Sequence, residues 1–209
     1  MASDSLRIGF LCSHGGTSMR AAVAAMKAGE LKAVAAVAIC NNADAPALAF
    51  AKAEGIPHRV INVKAAGGEP EAADHAIASA LAEHGAGLVM LSGYLRKLGP
   101  ITLARFAGRI LNIHPALLPR HGGRGMYGQR VHEAVLAAGE TTTGASIHLV
   151  DGEYDTGMVL GQTRVPVLPD DDVGRLAARV AEAETALVVA TLRRIADGAL
   201  PLPAGERMD

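Results

Sequence analysis

Three side chains in this sequence have the types and spacing to move a proton to and from a developing oxyanion: Asn112, His114 and, farther on, Asp155. The stretch Ile110 to Pro119 reads ILNIHPALLP. Its apolar residues Ile110, Leu111 and Ile113 suit the end of a buried strand, and Pro115 prevents a helix from continuing it. Asn112 and His114 are two positions apart, so a strand points both to one face. An amide that donates and an imidazole that exchanges protons near neutral pH then form an oxyanion-stabilising, proton-transferring pair. Asp155 belongs to an acidic, glycine-punctuated loop, DGEYDTG at 151–157. A carboxylate beside an imidazole favours the charged ring, which predicts a His114 that is protonated at neutral pH. The same residues also suit a blander arrangement, a hydrogen-bonded core histidine beside a turn asparagine, with Asp155 serving only its own turn.

The elements that would position these groups follow from periodicity. Residues 7–12 (RIGFLC) form a short apolar run, SHGGTS follows at 13–18, and an alanine-rich helical segment extends over 19–28. Strand, glycine-bearing turn and helix make a phosphate cradle at Gly16, Thr17 and Ser18, because free backbone N–H groups and the helix dipole converge there. A plain tight turn with Thr17 or Ser18 as helix cap fits the same residues. Strands are expected at 34–40, 59–63 and 87–92, with helices at 45–54 and 69–84 between them. That alternation implies a parallel sheet with right-handed crossovers, whose strand carboxyl ends bind ligands. Gly93 would let a ligand approach the backbone at such an end. The glycine- and arginine-rich stretch 120–130 is a candidate lid or anion clamp. A helix at 131–138, strands at 142–150 and 158–167, and a long helix at 172–196 with apolar Leu176, Val180, Leu187, Val188 and Leu192 complete the chain.

Composition narrows the function classes. The 209 residues are half hydrophobic and carry a formal net charge of -1, so there is enough core for one domain and no global basic field for nucleic acid. Aromatic residues make up only 3%, which disfavours a base-stacking platform. Cys12 and Cys40 each end an apolar run without metal-ligand spacing, as buried free thiols do. No apolar stretch reaches membrane-spanning length and no secretory leader is evident, so a cytoplasmic protein is expected.

With these residues set out, the chain resembles the folate-dependent formyltransferases, and within them the glycinamide ribonucleotide branch of purine synthesis. The resemblance runs from Arg7 to Gly198. It rests on SHGGTS, on SGYLRKLGP at 92–100, GRILNIHPALLP at 108–119, GGRGMYGQRVHEAVLAAGE at 122–140 and GASIHLVDGEYDTG at 144–157. It implies an α/β, Rossmann-like fold, with a mostly parallel twisted sheet flanked by helices, an antiparallel C-terminal part of the sheet and a long C-terminal helix. One domain would span 1–209, its core at 6–199 and a poorly ordered tail at 200–209.

The implied reaction moves the formyl group of 10-formyltetrahydrofolate, a co-substrate, to the amine of glycinamide ribonucleotide, with no metal. By the resemblance, Asn112 binds the formyl oxygen, His114 is the general acid and oxyanion stabiliser, and Asp155 holds His114 charged and relays the amine's proton through water. Gly16, Thr17, Ser18, Gly93 and Glu184 fall on the ribotide side, Glu184 toward the ribose hydroxyls. Leu95, Arg96, Lys97, Leu98, Asp151, Gly152, Glu153 and Tyr154 fall around the pterin, gripped by backbone contacts. Pro70 stands where some members place an arginine near the folate tail, and Lys97 where an apolar residue is frequent. Partners are small molecules, without nucleic acid or membrane, for a monomer or homodimer. Other readings are an acceptor such as an amino sugar nucleotide, hydrolysis of formyltetrahydrofolate, and a non-catalytic nucleotide-binding sensor.

Overall fold

The computed structural model describes residues 5–203. Its elements in order are β1 (Leu6–Cys12), α1 (Thr17–Lys27), β2 (Ala33–Cys40), α2 (Pro46–Ala53), β3 (His58–Val60), α3 (Pro70–Glu83) and β4 (Leu88–Ser92), followed by α4 (Pro100–Arg105), β5 (Ile110–His114), α5 (Gln129–Ala137), β6 (Thr142–Leu149), β7 (Val159–Pro166) and α6 (Val173–Ala196). The strands form one seven-stranded sheet in the order β3-β2-β1-β4-β5-β6-β7. β1 pairs in parallel with both β2 and β4, β5 joins β4 in parallel, and β6 and β7 add antiparallel strands. The chain winds outward from β1 to β3 and then crosses back to β4, so the order reverses at β1/β4. In open α/β sheets a ligand crevice forms outside the strand ends at such a reversal.

Both sheet faces are covered, which is why the central strands are apolar throughout. Ile8, Phe10, Met90, Leu111 and Ile147 pack with Met19 of α1 and Val188 and Leu192 of α6 on one face. Leu11, Ile39, Val89 and Ile110 pack with Ile77 and Leu81 of α3 and with Phe106 on the other. A smaller cluster of Val135, Val165, Leu176 and Val180 joins α5 and β7 to α6. Of the stripe expected on α6, Leu176, Val180, Val188 and Leu192 are fully buried, each worth roughly 1.5–3 kcal/mol of transfer free energy, and Leu187 is partly buried against the same core.

Two expectations are corrected. The third strand is only His58–Val60, not 59–63, because β3 is the sheet edge and its pairing with β2 ends at Val60 opposite Cys40. The short helix α4 has no strong periodic signal and was not expected. It is set by Asp74 of α3, whose buried carboxylate accepts the Ile101 and Thr102 N–H groups at 2.8 and 3.1 Å. Most of the expected tail, 204–209, lies outside the described residues. Of the rest, Leu202 packs against the α1/α6 core and Pro203 lies against Gly108.

Candidate active site

The carboxyl ends of β1, β4 and β5 open into a cleft of about 1420 Å³. Its walls include the turn at 15–18, Gly93, Leu95, Asn112, His114, Asp155 and Glu184. The loops after β1 and β4 are tied together at its floor, since Ser13 N–H donates to the Gly93 carbonyl (3.2 Å) and Leu95 N–H to Ser13 Oγ (2.9 Å).

At one end lies the α1 turn. Gly16 is the N-cap, in the left-handed region at φ 67, and as a glycine it has no side chain with which to cap the helix. The alternative of Thr17 or Ser18 as the cap therefore does not hold: the helix already begins at Thr17. Met19 N–H is taken by Ser92 Oγ at 2.9 Å. The Thr17 and Ser18 amides carry no side-chain cap and suit an anion. Gly16 is required twice over, because its φ suits glycine and an added Cβ would lie 2.9 Å from the Ala47 side chain.

At the other end β5 delivers Asn112 and His114, and antiparallel pairing with β6 sets His148 opposite Asn112 and Ser146 opposite His114. Asp155, after β6, reaches back between the two imidazoles: Oδ2 is 3.5 Å from His114 Nδ1 and Oδ1 is 3.5 Å from His148 Nε2. Gly123 N–H donates to Asp155 Oδ2 at 2.9 Å. The structure thus brings together all three of the expected catalytic side chains, with His148 of β6 beside them. The Nδ1 of His148 donates to the Leu149 carbonyl (2.8 Å), which leaves Nε2 to accept from Asn112 Nδ2 at 3.2 Å. His114 Nε2 donates to the His121 carbonyl at 2.8 Å. His121 and Asp155 are the non-glycine residues with positive φ among the described residues, at 53 and 58, so two locally unfavourable conformations flank the same ring.

The electrostatics overturn one expectation. Burial pushes the His114 pKa down; the Asp155 carboxylate and the His121 carbonyl oppose it without cancelling it, and the result lies below the ordinary imidazole value. His114 is thus neutral, not charged, at pH 7, because the residue is 3% exposed and its ring loses most of its hydration. Burial alone would raise Asp155, but the His148 contact, attraction to His114 where acid protonates that ring, and the Gly123 N–H outweigh it and hold the carboxyl below its usual range. Burial lowers His132 of α5, which also lines the cleft, and His114 adds to that effect.

The residues expected around a pterin divide. Leu95, Arg96 and Tyr154 line the cleft, whereas Lys97, Leu98, Asp151, Gly152 and Glu153 do not. Leu98 is buried in the α3/α4 layer. Lys97 pairs with Glu153 at 3.3 Å and lies over the Tyr154 ring, at 5.9 Å. Asp151 closes its own loop by accepting from Glu153 N–H (3.0 Å) and Thr156 Oγ1 (2.9 Å). Gln162 was missed. Its Nε2 donates to the Leu118 carbonyl (3.0 Å) and to Ser146 Oγ (2.7 Å), and Ser146 in turn donates to the Ala116 carbonyl. A polar residue inside β7 was the available signal, but its partners come from distant segments.

Against this geometry, a family model described as Formyl transferase matches residues 6–192. The chain belongs to the formyl transferase family. The matched span of this formyl transferase takes in the turn at 16–18, the Asn112, His114 and Asp155 constellation and Glu184. The chain is 38% identical over 193 residues to a chloroplastic phosphoribosylglycinamide formyltransferase of Vigna unguiculata, which covers 91% of this chain but only 61% of that relative. A phosphoribosylglycinamide formyltransferase of Haemophilus influenzae is 34% identical over 196 residues, covering 94% of this chain and 90% of its own length. The crystal structure of glycinamide ribonucleotide transformylase 1 from Symbiobacterium toebii superimposes with a TM-score of 0.88 at 32% identity, over 96% of this chain and 92% of that one. Among the described residues no helix is long and apolar enough to cross a membrane.

Proposed function

We propose that this protein transfers the formyl group of 10-formyltetrahydrofolate to the primary amine of glycinamide ribonucleotide, giving the formylated ribotide and tetrahydrofolate. The observation that carries this reading is one cleft holding an anion-ready helix turn at one end and the Asn112, His114 and Asp155 constellation at the other. The relatives' names supply the ribotide acceptor and the formyl group, and the family resemblance supplies the folate donor. The Gly16, Thr17 and Ser18 turn takes the phosphate, Gly93 lets the ligand pass close to the backbone, and Leu95, Arg96 and Tyr154 face the folate, with the 97–98 and 151–153 segments shaping its side from behind. Cys12 and Cys40, free and buried, suit the cytoplasm.

The chemistry follows from the neutral ring. The amine attacks the formyl carbon; the carbonyl π electrons move to oxygen, where Asn112 Nδ2–H stabilises the oxyanion while His114 Nε2–H stays on the His121 carbonyl. The proton released by the amine goes, directly or through water, to His114 Nδ1, and Asp155 balances the new charge. Collapse re-forms the carbonyl, breaks the bond to the folate nitrogen, and returns that proton to the leaving nitrogen. Asp155 therefore supports a charge that arises during turnover, which is a change from the role expected of it beforehand.

The direct test is tetrahydrofolate release from 10-formyltetrahydrofolate by purified protein, with and without glycinamide ribonucleotide. Release only with the ribotide supports the proposal. Release at the same rate without it would indicate a hydrolase, and no release in either case would indicate a sensor.

Glu184 provides a second check. Burial pushes its carboxyl up to about 7. An ionised carboxylate accepts hydrogen bonds from ribose hydroxyls better than a protonated one, so ribotide binding should weaken as pH falls through about 7. KM for the ribotide should rise below neutrality in wild type. In Glu184→Gln it should be raised at all pH values and lose that dependence, while KM for the folate stays level. A pH-independent wild-type KM would remove Glu184 from the ribose site.

A further inference from the structure

Beyond Asp155, the His114 ring is held by a second device that none of the catalytic roles uses. The His121 carbonyl that accepts from Nε2 lies on a short segment whose neighbours are pinned from outside the cleft. Glu140, between α5 and β6, receives Arg120 Nη1 on both carboxylate oxygens at 3.1 and 3.0 Å. Its Oε1 lies 3.6 Å from His121 Nε2, a buried nitrogen without a hydrogen-bond partner. Glu140 itself stands on fixed backbone. Gly139 N–H closes onto the Leu136 carbonyl at 3.0 Å, and Val131 and Val135 of α5 are fully buried.

We propose that Glu140 is a positioning residue: through Arg120 and His121 it fixes the carbonyl that keeps the His114 proton on Nε2, leaving Nδ1 toward Asp155 as the base. The physical conflict that requires this is local. A carboxylate 3.5 Å from Nδ1 attracts a proton to Nδ1, and in a neutral ring that would strip Nε2 of its N–H. Only a well-placed acceptor on the other side favours the Nε2–H tautomer. The His121 carbonyl is that acceptor, and its backbone has the uncommon φ of 53, which neighbouring contacts must sustain. The titratable groups facing His114 are Asp155, His148 of β6, His132 of α5 and His121. Those facing His121 are Glu140 and His114.

This inference rests on the reading of His114 as the proton-transfer group, but its primary readout needs no substrate. Imidazole 15N shifts of the full-length protein, recorded above the His114 titration, report the tautomer. Wild type should show Nε2–H. Glu140→Ala, and the near-isosteric Glu140→Gln, should move His114 toward Nδ1–H, with kcat falling roughly tenfold, the scale of one hydrogen bond, and KM for both substrates little changed. Wild-type tautomer in either folded variant would overturn the proposal, as would a lowered Tm with an unchanged tautomer, which would make Glu140 merely structural. If the protein fails to formylate glycinamide ribonucleotide yet the tautomer shifts, the proposed acceptor is wrong and the positioning role stands.

Discussion

His114→Ala and Asn112→Ala should each lower kcat by at least about 10²-fold and leave the KM values of both substrates within a small factor of wild type. Each group acts on charge that exists only between reactants and products. Asn112 Nδ2 has an acceptor within the protein, His148 Nε2 at 3.2 Å, so its amide is oriented without help from substrate. The His114 ring is held on both sides, at 2.8 Å by the His121 carbonyl and at 3.5 Å by Asp155. Such preorganisation is of little use to ground-state binding and of most use to an oxyanion. Asn112→Asp makes the comparison sharper: the shape is nearly kept, the N–H donor is gone, and a negative charge faces the developing oxyanion. It should be at least as impaired as the alanine variant. Steady-state kinetics decide the matter, and more than about a third of wild-type kcat in either alanine variant would exclude the proposed roles.

Asp155→Asn should cost at least about tenfold in kcat at pH 7, and the sign of its pH effect separates two mechanisms. Burial already places His114 below its ordinary pKa, and Asp155 is the largest opposing influence. Its loss therefore lowers the His114 pKa further. In wild type a neutral ring is the form that accepts the amine's proton, so kcat should rise with pH through the His114 pKa and level off near neutrality. In Asp155→Asn the midpoint moves to lower pH, and the plateau drops because the imidazolium formed in the step has lost its countercharge. The His114 pKa by NMR alongside kcat against pH tests both parts. A wild-type kcat that falls as pH rises through that pKa would restore a His114 that is charged before the reaction begins. An unchanged pKa with near-normal kcat would mean that Asp155 only shapes its loop.

The sequence alone determined which residues share a strand end or a turn, since these depend on period and on a few local breakers. The two-residue spacing of Asn112 and His114, Pro115 behind them, and the glycine-bearing turn before α1 are local facts, and the structure keeps them. The alternation of apolar runs with helical stripes likewise carried the βα order, because both faces of a parallel sheet must be apolar. What the tertiary structure decided is pairing across distance. That Asp155 stands between His114 and His148 depends on β6 lying antiparallel to β5 and on the loop that follows it, and no spacing encodes that register. Helix α4 exists because of a carboxylate on α3, and β3 stops early because it has only one neighbour. The largest reversal, a neutral His114, has the same origin. A neighbouring carboxylate can be guessed from sequence, but the water excluded by β6, the His121 segment and α5 cannot, and here that lost hydration outweighs the added charge.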